Sequence, residues 1–497
     1  MRVFNSSFID PGSLSADDRL LIYNGLDTCL THEVYNFIDQ NLLDEVSRGT
    51  SNFMHSLLGP VLSMMRRGIR VDMEARDAAL VDIKERLFKV GGMERRVKNG
   101  KGSWHVLNED APLQRLAKAV WGKTLNYHSE KQLKSFFFDS LYIPKIYRSD
   151  KGVQKVTLDR DAMEKIQKSY FRGVPFAEII LHLRDREKEA DVLSKALSPE
   201  GRFLFNLNIV GTSSGRYSSS THPFQWGSNI QNISPSLRYV FVADPGYVLL
   251  NVDLKTAESV VVAYLAGDET YIEALKGDVH TTVAGMVWDF PPERTLADRP
   301  YYRDFTYRDM AKRGSHGSSY GGSPRTMARH LKVETKIMVD FQDKFFTIFP
   351  EIPEWHRWTQ RTLQTVGQLT TPMGRRRHFW DRHYSDTTLR EAIAYVPQST
   401  VGDLVHHGEY RCWKDLQGPE CHILANGHDA ILFQVKEDKV YHYAKEILSR
   451  MEIPTEVVDI QGKRRIMVIS GEAKAGKNWG HYDKKNPDKN PFGLKDL

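Results

Sequence analysis

A chain of 497 residues has room for two to four domains and a sizeable core, and its 40% hydrophobic and 27% charged content is that of a globular protein. No uncharged apolar run approaches the roughly 20 residues of a membrane span, the first residues lack a signal-peptide pattern, and Cys29, Cys412 and Cys421 are too few and scattered for a disulfide framework or a zinc site. The formal net charge of +6 tolerates a polyanionic partner without demanding one, and a reducing, cytoplasmic setting is the default expectation.

In chain order, Tyr23-Asn24-Gly25-Leu26-Asp27 leads into an amphipathic helical pattern through Leu30, Val34, Phe37 and Ile38. Residues 52–70 read as a second helix, with Phe53, Leu57, Val61 and Met65 on one face. From about 73 to 195 the chain is helical and charged, with helices expected over 75–87 and 159–170 and another opened by Ser129 as N-cap. Residues 95–102 form a basic loop, which a solvated face explains more readily than a phosphate contact. From about 206 the texture turns to Ser, Thr, Gly and Asn, through Thr212-Ser213-Ser214-Gly215-Arg216 to Gln231-Asn232-Ile233. That stretch reads either as a polar linker or as a segment that follows a nucleic-acid backbone or minor groove.

Pro245-Gly246 then opens an apolar, β-branched run that reads as a buried strand and ends in Asp253. A carboxylate at the end of a core strand is costly unless a cation or donors meet it. With Glu258 five residues on, before an apolar helix, the pair suits half of a metal site; a turn former or cap is the structural alternative. Asp278-Val279-His280-Thr281 begins a further helix. Beyond it, Arg308, Lys312, His316 and Tyr320 are spaced by four, so at about 100° per residue all four fall within about 120° of one helix face. Two cations, an imidazole and a phenol make a poor core stripe and a good surface for a triphosphate and its base, against the alternative of a solvated basic face. Gly314 and Gly317 weaken that helix by about 1 kcal/mol each, which suggests close approach or movement. Residues 336–349 read as a helix, 373–377 as a basic turn, and 390–413 as a long helix that carries Arg390 and Gln398 and is interrupted near Pro397. Two apolar runs around Asn426-Gly427 signal a hairpin whose turn presents His428 and Asp429.

Together, Asp253 with Glu258, the Arg308-x3-Lys312-x4-Gly317-x2-Tyr320-Gly321 helix and the His428-Asp429 hairpin have the order and spacing of family A DNA polymerases. From about residue 50 to its end the chain resembles bacterial DNA polymerase I and its bacteriophage relatives. Gly215-Arg216-x-Ser218-Ser219, Gln231-Asn232-Ile233, Asp278-x-His280, Arg390 with Gln398, and Gly476-Lys477-Asn478-Trp479 are similar as well. The resemblance implies an α+β right-hand fold with an antiparallel palm sheet and helical thumb and fingers. Thumb and connecting helices would occupy 51–205, palm 206–268 and 398–497, and fingers 269–397.

By the same resemblance the chain is a template-directed DNA polymerase of DNA replication that binds primer–template DNA and deoxynucleoside triphosphates. Its cytoplasmic setting would be the host's if a phage encodes it. Asp253 and Asp429 would hold two Mg²⁺ ions, with Mn²⁺ as a substitute, and be catalytic together with Lys312. Arg308, Lys312, His280, His316, Tyr320 and Glu258 would contact the nucleotide, Glu258 leaving no room for a ribose hydroxyl. Arg216, Gln398, Arg390 and His428 would contact DNA, the first two at minor-groove acceptors shared by all correct pairs.

The departures are informative too. His316 stands where the family usually has Phe or Tyr, which implies altered discrimination against nucleotides that lack a 3′-hydroxyl. Ala430 replaces a common Glu, Thr256 a frequent Gln, and Ala394 an Asn. Residues 1–50 look like the C-terminal end of a 3′–5′ exonuclease domain, Tyr23-x3-Asp27 being its final motif, with no room upstream for the earlier acids. The chain alone is therefore expected not to proofread. That end is either a degenerate relic or the complement of an exonuclease carried on a separate polypeptide. Two rivals remain: a single-subunit RNA polymerase, against which Glu258 and the Tyr320 helix argue, and a DNA-binding scaffold without catalysis, against which the retained Asp253, Asp429, Arg308 and Lys312 argue.

Overall fold

The expected Asp253 strand is the centre of a five-stranded antiparallel sheet ordered Cys421–Asn426, Ala430–Lys436, Tyr247–Leu254, Gly471–Gly476, Lys495–Asp496. The computed structural model describes residues 15–98, 101–150 and 153–497. Val248, Leu249, Leu250, Val252 and Leu254 are all buried. Because successive side chains point to opposite faces, the strand is covered on both. Helix Val440–Met451 and the middle of the long helix Asp386–Leu416, through Val401, Leu404, Val405 and Cys412, share one core with this sheet.

Two further cores flank it. One lies within residues 93–183, where Phe136, Phe137 and Phe176 pack between helices Pro112–Trp121, Arg160–Ser169 and Val174–Leu193. The other is helical and joins Val279–Trp288, Tyr307–Ser319, Thr335–Ile348 and Glu351–Val366 around Tyr271, Phe341, Phe345 and Trp355. Helix Ala257–Ala266 belongs to two cores at once: Val260 and Val261 face the sheet, Val262 and Ala263 the helical cluster. The fold is mixed α+β, as expected.

Several local expectations need correction. Residues 52–70 are two helices and a strand, Glu45–Ser56, Leu58–Arg67 and Ile69–Val71. The break is Gly68, at φ 59°, where a Cβ would run into the Phe203 carbonyl. The basic loop at 95–102 is instead a hairpin of Met93–Lys98 and Lys101–Val106, whose Asn99 and Gly100 lie outside the described residues. The polar stretch after 206 is folded rather than a linker: Asn206–Asn208 pairs with Ser218–Ser220, and Tyr217, Ile230 and Ile233 are buried. The long helix runs on through Pro397. The first helix, Ala16–Asn41, includes Tyr23 and Asp27 and buries none of its residues. Among the described residues no helix is long and apolar enough to cross a membrane.

The hairpin Gln368–Thr370/Arg376–His378 is tied to the long helix by Arg375, whose guanidinium donates to both carboxylate oxygens of Asp403 at 2.6–3.0 Å. Asp403 is buried, at 5% exposure, and Arg375 is mostly covered. Arg375→Ala leaves that carboxylate unpaired in the core and should destabilise the fold by about 3–5 kcal/mol in denaturant titrations. A loss below about 1 kcal/mol would show that the pair is not what holds the hairpin to the helix.

Candidate active site

Antiparallel register sets Asp253 opposite Ala430 on one neighbouring strand and Glu472 on the other, so Asp429, one residue before Ala430, comes beside it. The Leu254 amide donates to the Asp429 carbonyl at 3.3 Å. Burial, then the charges of Asp429 and Glu472, push the Asp253 carboxyl up to about 7. Asp429 is raised too, mainly by burial, with Arg216 opposing. The expected hairpin forms, and its turn presents His428 and Asp429. His428, not Gly427, takes the left-handed conformation (φ 73°), and its amide donates to Asn426 Oδ1 at 3.1 Å.

Around the acids lies a cleft of about 640 Å³ that gathers Asp253, Asp429, Glu258, His280, Lys312, His316 and His428. Thr256 enters the following helix at φ 45°, a strained conformation for a β-branched residue, between the two acids Asp253 and Glu258. The opposite wall is helix Tyr307–Ser319, started by a Thr306–Asp309 capping box. Its glycines serve close packing: a Cβ on Gly314 would overlap the Phe341 ring, and one on Gly317 the Met327 side chain. Arg308, Lys312 and His316 lie on one face as expected. Lys312 is exposed to the cleft with no ion-pair partner among the described residues. Arg308 donates from Nε and a terminal nitrogen to Asp278 at 2.9 and 3.0 Å. Despite its partial burial, Asp278 is held down at about 2 by that guanidinium and by Thr281.

His280 lies between these cations. Burial first, then Arg308 and Lys312, pull it down to about 4, so it is neutral at neutral pH; its Nδ1 is buried without a hydrogen-bond partner. Tyr320 ends the helix, its ring 4.9 Å from that of His316 and its hydroxyl donating to Glu258. One terminal nitrogen of Arg216 donates to Glu258 at 2.6 Å and to Asp429 at 3.0 Å, so a single guanidinium links the two acids. Gln398 is half-buried and Arg390 exposed on the long helix, and neither lines the cleft. Tyr23 and Asp27 lie elsewhere, on the exposed first helix, where Asp27 accepts from the Tyr23 hydroxyl and raises its pKa.

The hard carboxylate oxygens of Asp253 and Asp429, half-enclosed and side by side, suit a small divalent cation. Among the described residues no group of three or more metal-ligating side chains gathers.

Residues 103–481 match the sequence model of "DNA polymerase family A". The chain belongs to that family. It is 27% identical over 425 residues to a thermostable DNA polymerase I of Thermus filiformis, covering 80% of this chain and 46% of that protein. It is also 28% identical over 338 residues to DNA polymerase I of Mycobacterium tuberculosis, covering 64% and 35% respectively. The chain thus spans less than half the length of these curated relatives. In fold it is similar to the POL domain of Pol1 from M. smegmatis, solved in complex with DNA primer-template and dNTP. That likeness has TM-score 0.66 at 22% identity and covers 86% of this chain and 70% of that one.

Sequence reasoning missed what supports the family A cleft from behind. Glu409 of the long helix is fully buried, accepting from the Tyr217 hydroxyl at 2.9 Å and from Asn426 Nδ2 at 2.6 Å. Asn426 in turn holds the His428 amide, so a buried carboxyl braces the turn that presents Asp429. The available signal was an acid on the same helical face as Val405 and Cys412. Burial lifts Glu409 from the ordinary 4.5 to about 7. A carboxyl raised by folding contributes stability that is full below about pH 4.5 and is lost as pH rises through about 7. Glu409→Gln removes that loss. Relative to the variant, the wild type should lose roughly 3 kcal/mol between acidic and alkaline limits, read as diverging Tm–pH curves. Parallel curves would show that Glu409 does not titrate in this range.

Proposed function

We propose that this chain is a template-directed DNA polymerase that extends a primer 3′ end with deoxynucleotides at the Asp253–Asp429 cleft. The observation that carries the reading is the pairing of two crowded carboxylates, one ending the central strand and one in the turn before its neighbour, with the cationic face of helix Tyr307–Ser319 around a cleft of about 640 Å³. The sheet core would serve as palm (206–268 and 398–497), the helical core as fingers (269–397) and the 51–205 region as thumb and connecting helices.

Asp253 and Asp429 would hold Mg²⁺, which supplies Lewis-acid neutralisation of phosphate charge and a lower pKa at the attacking hydroxyl. Lys312, without an ion-pair partner among the described residues, would meet the triphosphate as a point charge, and Arg308 would present the fork that now holds Asp278. His280, neutral, would donate a hydrogen bond from its ring N–H rather than offer a charge. Glu258, fixed by Tyr320 and Arg216, would crowd the 2′ position of the sugar, and His316 would lie against sugar or base. Arg216 and Gln398 would test minor-groove acceptors, His428 would position the primer terminus, and Arg390 would contact DNA farther along the long helix. A separate 3′–5′ exonuclease partner using Tyr23 and Asp27 is supported by the exposure of their helix, which buries nothing.

Extension of a labelled primer–template with Mg²⁺ should be abolished by Asp253→Ala, and Lys312→Ala should lower kcat by about 10²–10³, as for loss of a charge clamp on a transferring phosphoryl group. Tight DNA binding without metal-dependent extension would favour the scaffold reading, and a preference for ribonucleotides the RNA polymerase reading. A mismatched 3′ end should persist untrimmed. His316→Phe should shift the ratio of dideoxy- to deoxynucleotide incorporation; an unchanged ratio would remove His316 from sugar discrimination.

A further inference from the structure

The loop between strand Arg376–His378 and the long helix exposes two large aromatic rings, Trp380 at 90% and Tyr384 at 82%. The backbone beneath them is pinned. The Phe379 amide donates to the Gly367 carbonyl at 2.9 Å, and the Phe379 ring is buried with Leu363, Leu369 and Tyr395. His383 Nε2 bonds the Phe379 carbonyl at 2.6 Å, the Ser385 amide donates to the Arg382 carbonyl, and Ser385 caps the long helix. Trp380 stacks on His378 by one face, with centroids 5.5 Å apart and planes at 23°. Beside it lies a cleft of about 580 Å³, large enough for a nucleobase and bordered by His378, Trp380, Arg382 and Tyr384.

Charge indicates the occupant. Residues 375–384 hold four arginines and two histidines against one acid, Asp381. Arg375, Arg376 and Arg377 are engaged by Asp403, Asp44 and Glu391. Arg382 is exposed and has no ion-pair partner among the described residues. Rigidly held aromatic faces beside an unpaired cation are what an unpaired polynucleotide needs, since every base has a face to stack and every link a phosphate.

We propose that Trp380 and Tyr384 form a stacking platform for single-stranded DNA, with Arg382 meeting the phosphate. The platform lies in the loop that leads directly into the helix carrying Gln398. The thirteen residues from Ser385 to Gln398 span about 20 Å, or roughly six nucleotides at about 3.4 Å each. A strand held at Gln398 would therefore reach the platform after about six unpaired nucleotides. Only this source of the strand rests on the polymerase reading; the platform's affinity for single strands does not.

The test is anisotropy titration of the full chain, without metal or nucleotide, on duplexes of one sequence that differ in their single-stranded arm. A template overhang of about two nucleotides is compared with one of about 12, with a displaced 5′ flap of about 12, and with a free oligothymidylate of that length. The wild type should bind at least one long arm about tenfold or more tighter than the short overhang. Trp380→Ala/Tyr384→Ala should lose that gain while binding the short overhang as the wild type does, and Trp380→Phe/Tyr384→Phe should keep most of it. The arm that gains identifies the strand. No gain on any arm in the wild type would overturn the proposal and leave the patch to a protein partner. A gain intact in the double alanine variant, or a loss shared equally with the short overhang, would overturn it as well. A wild type that shows the gain but never extends a primer would mark a failure of the polymerase reading, not of the platform.

Discussion

Two like-charged carboxylates held side by side at the edge of a buried sheet repel each other, and the surroundings of the cleft answer that repulsion. Asp253 is fixed by the central strand and Asp429 by the hairpin beside it, with Glu472 adding a third charge from the opposite strand. Such crowding persists only if the backbone leaves the acids no alternative. The strand is covered on both faces, the turn is braced through Asn426 by Glu409, and Arg216 bridges Asp429 to Glu258. A fold that holds like charges this firmly would, on the proposed reading, be preorganised for a cation that neutralises them.

The same economy of charge runs through the rest of the cleft. His280, among cations, and His406, stacked on Tyr217 deep behind the hairpin, are both kept neutral, chiefly by burial. On the facing helix positive charge is left to Arg308 and Lys312; Arg308 pairs with Asp278, and Lys312 has no carboxylate partner among the described residues. The acid and cation sets come from different cores. What places them face to face is the shared helix Ala257–Ala266, together with the Tyr320–Glu258 hydrogen bond that ties the end of one core's helix to the start of the other's. Changes at Val260–Ala263 would move one set relative to the other without touching either.

The departures from the family pattern fall within this frame. Ala430 faces Asp253 across the strands on one side, and Glu472 brings a carboxylate charge near Asp253 from the other. Thr256 occupies a left-handed corner between Asp253 and Glu258. His316 keeps ring contact with Tyr320 while placing a polar edge on the cleft. In the loop before the long helix, Trp380 and Tyr384 put aromatic surface in water on a pinned backbone, which a packed core would have absorbed had it been in reach.

By itself the sequence determined the central strand, the cationic helix face and the hairpin. Each is a local pattern: a β-branched run ending in an acid, a spacing of four, and apolar runs about a turn. Helix caps at Ser129 and Asp278 were legible for the same reason. Only tertiary structure decided that Gly68 breaks a helix to make a strand, that the polar stretch after 206 folds under Tyr217, and that Pro397 sits inside a helix, because long-range packing overrode local propensity there. The pairings Arg216 with Glu258 and Asp429, Arg308 with Asp278, Arg375 with Asp403, and Glu409 with Asn426 were likewise unreadable. Their members lie 17 to 213 residues apart, and no periodicity links side chains that meet only when distant strands and helices close on one another.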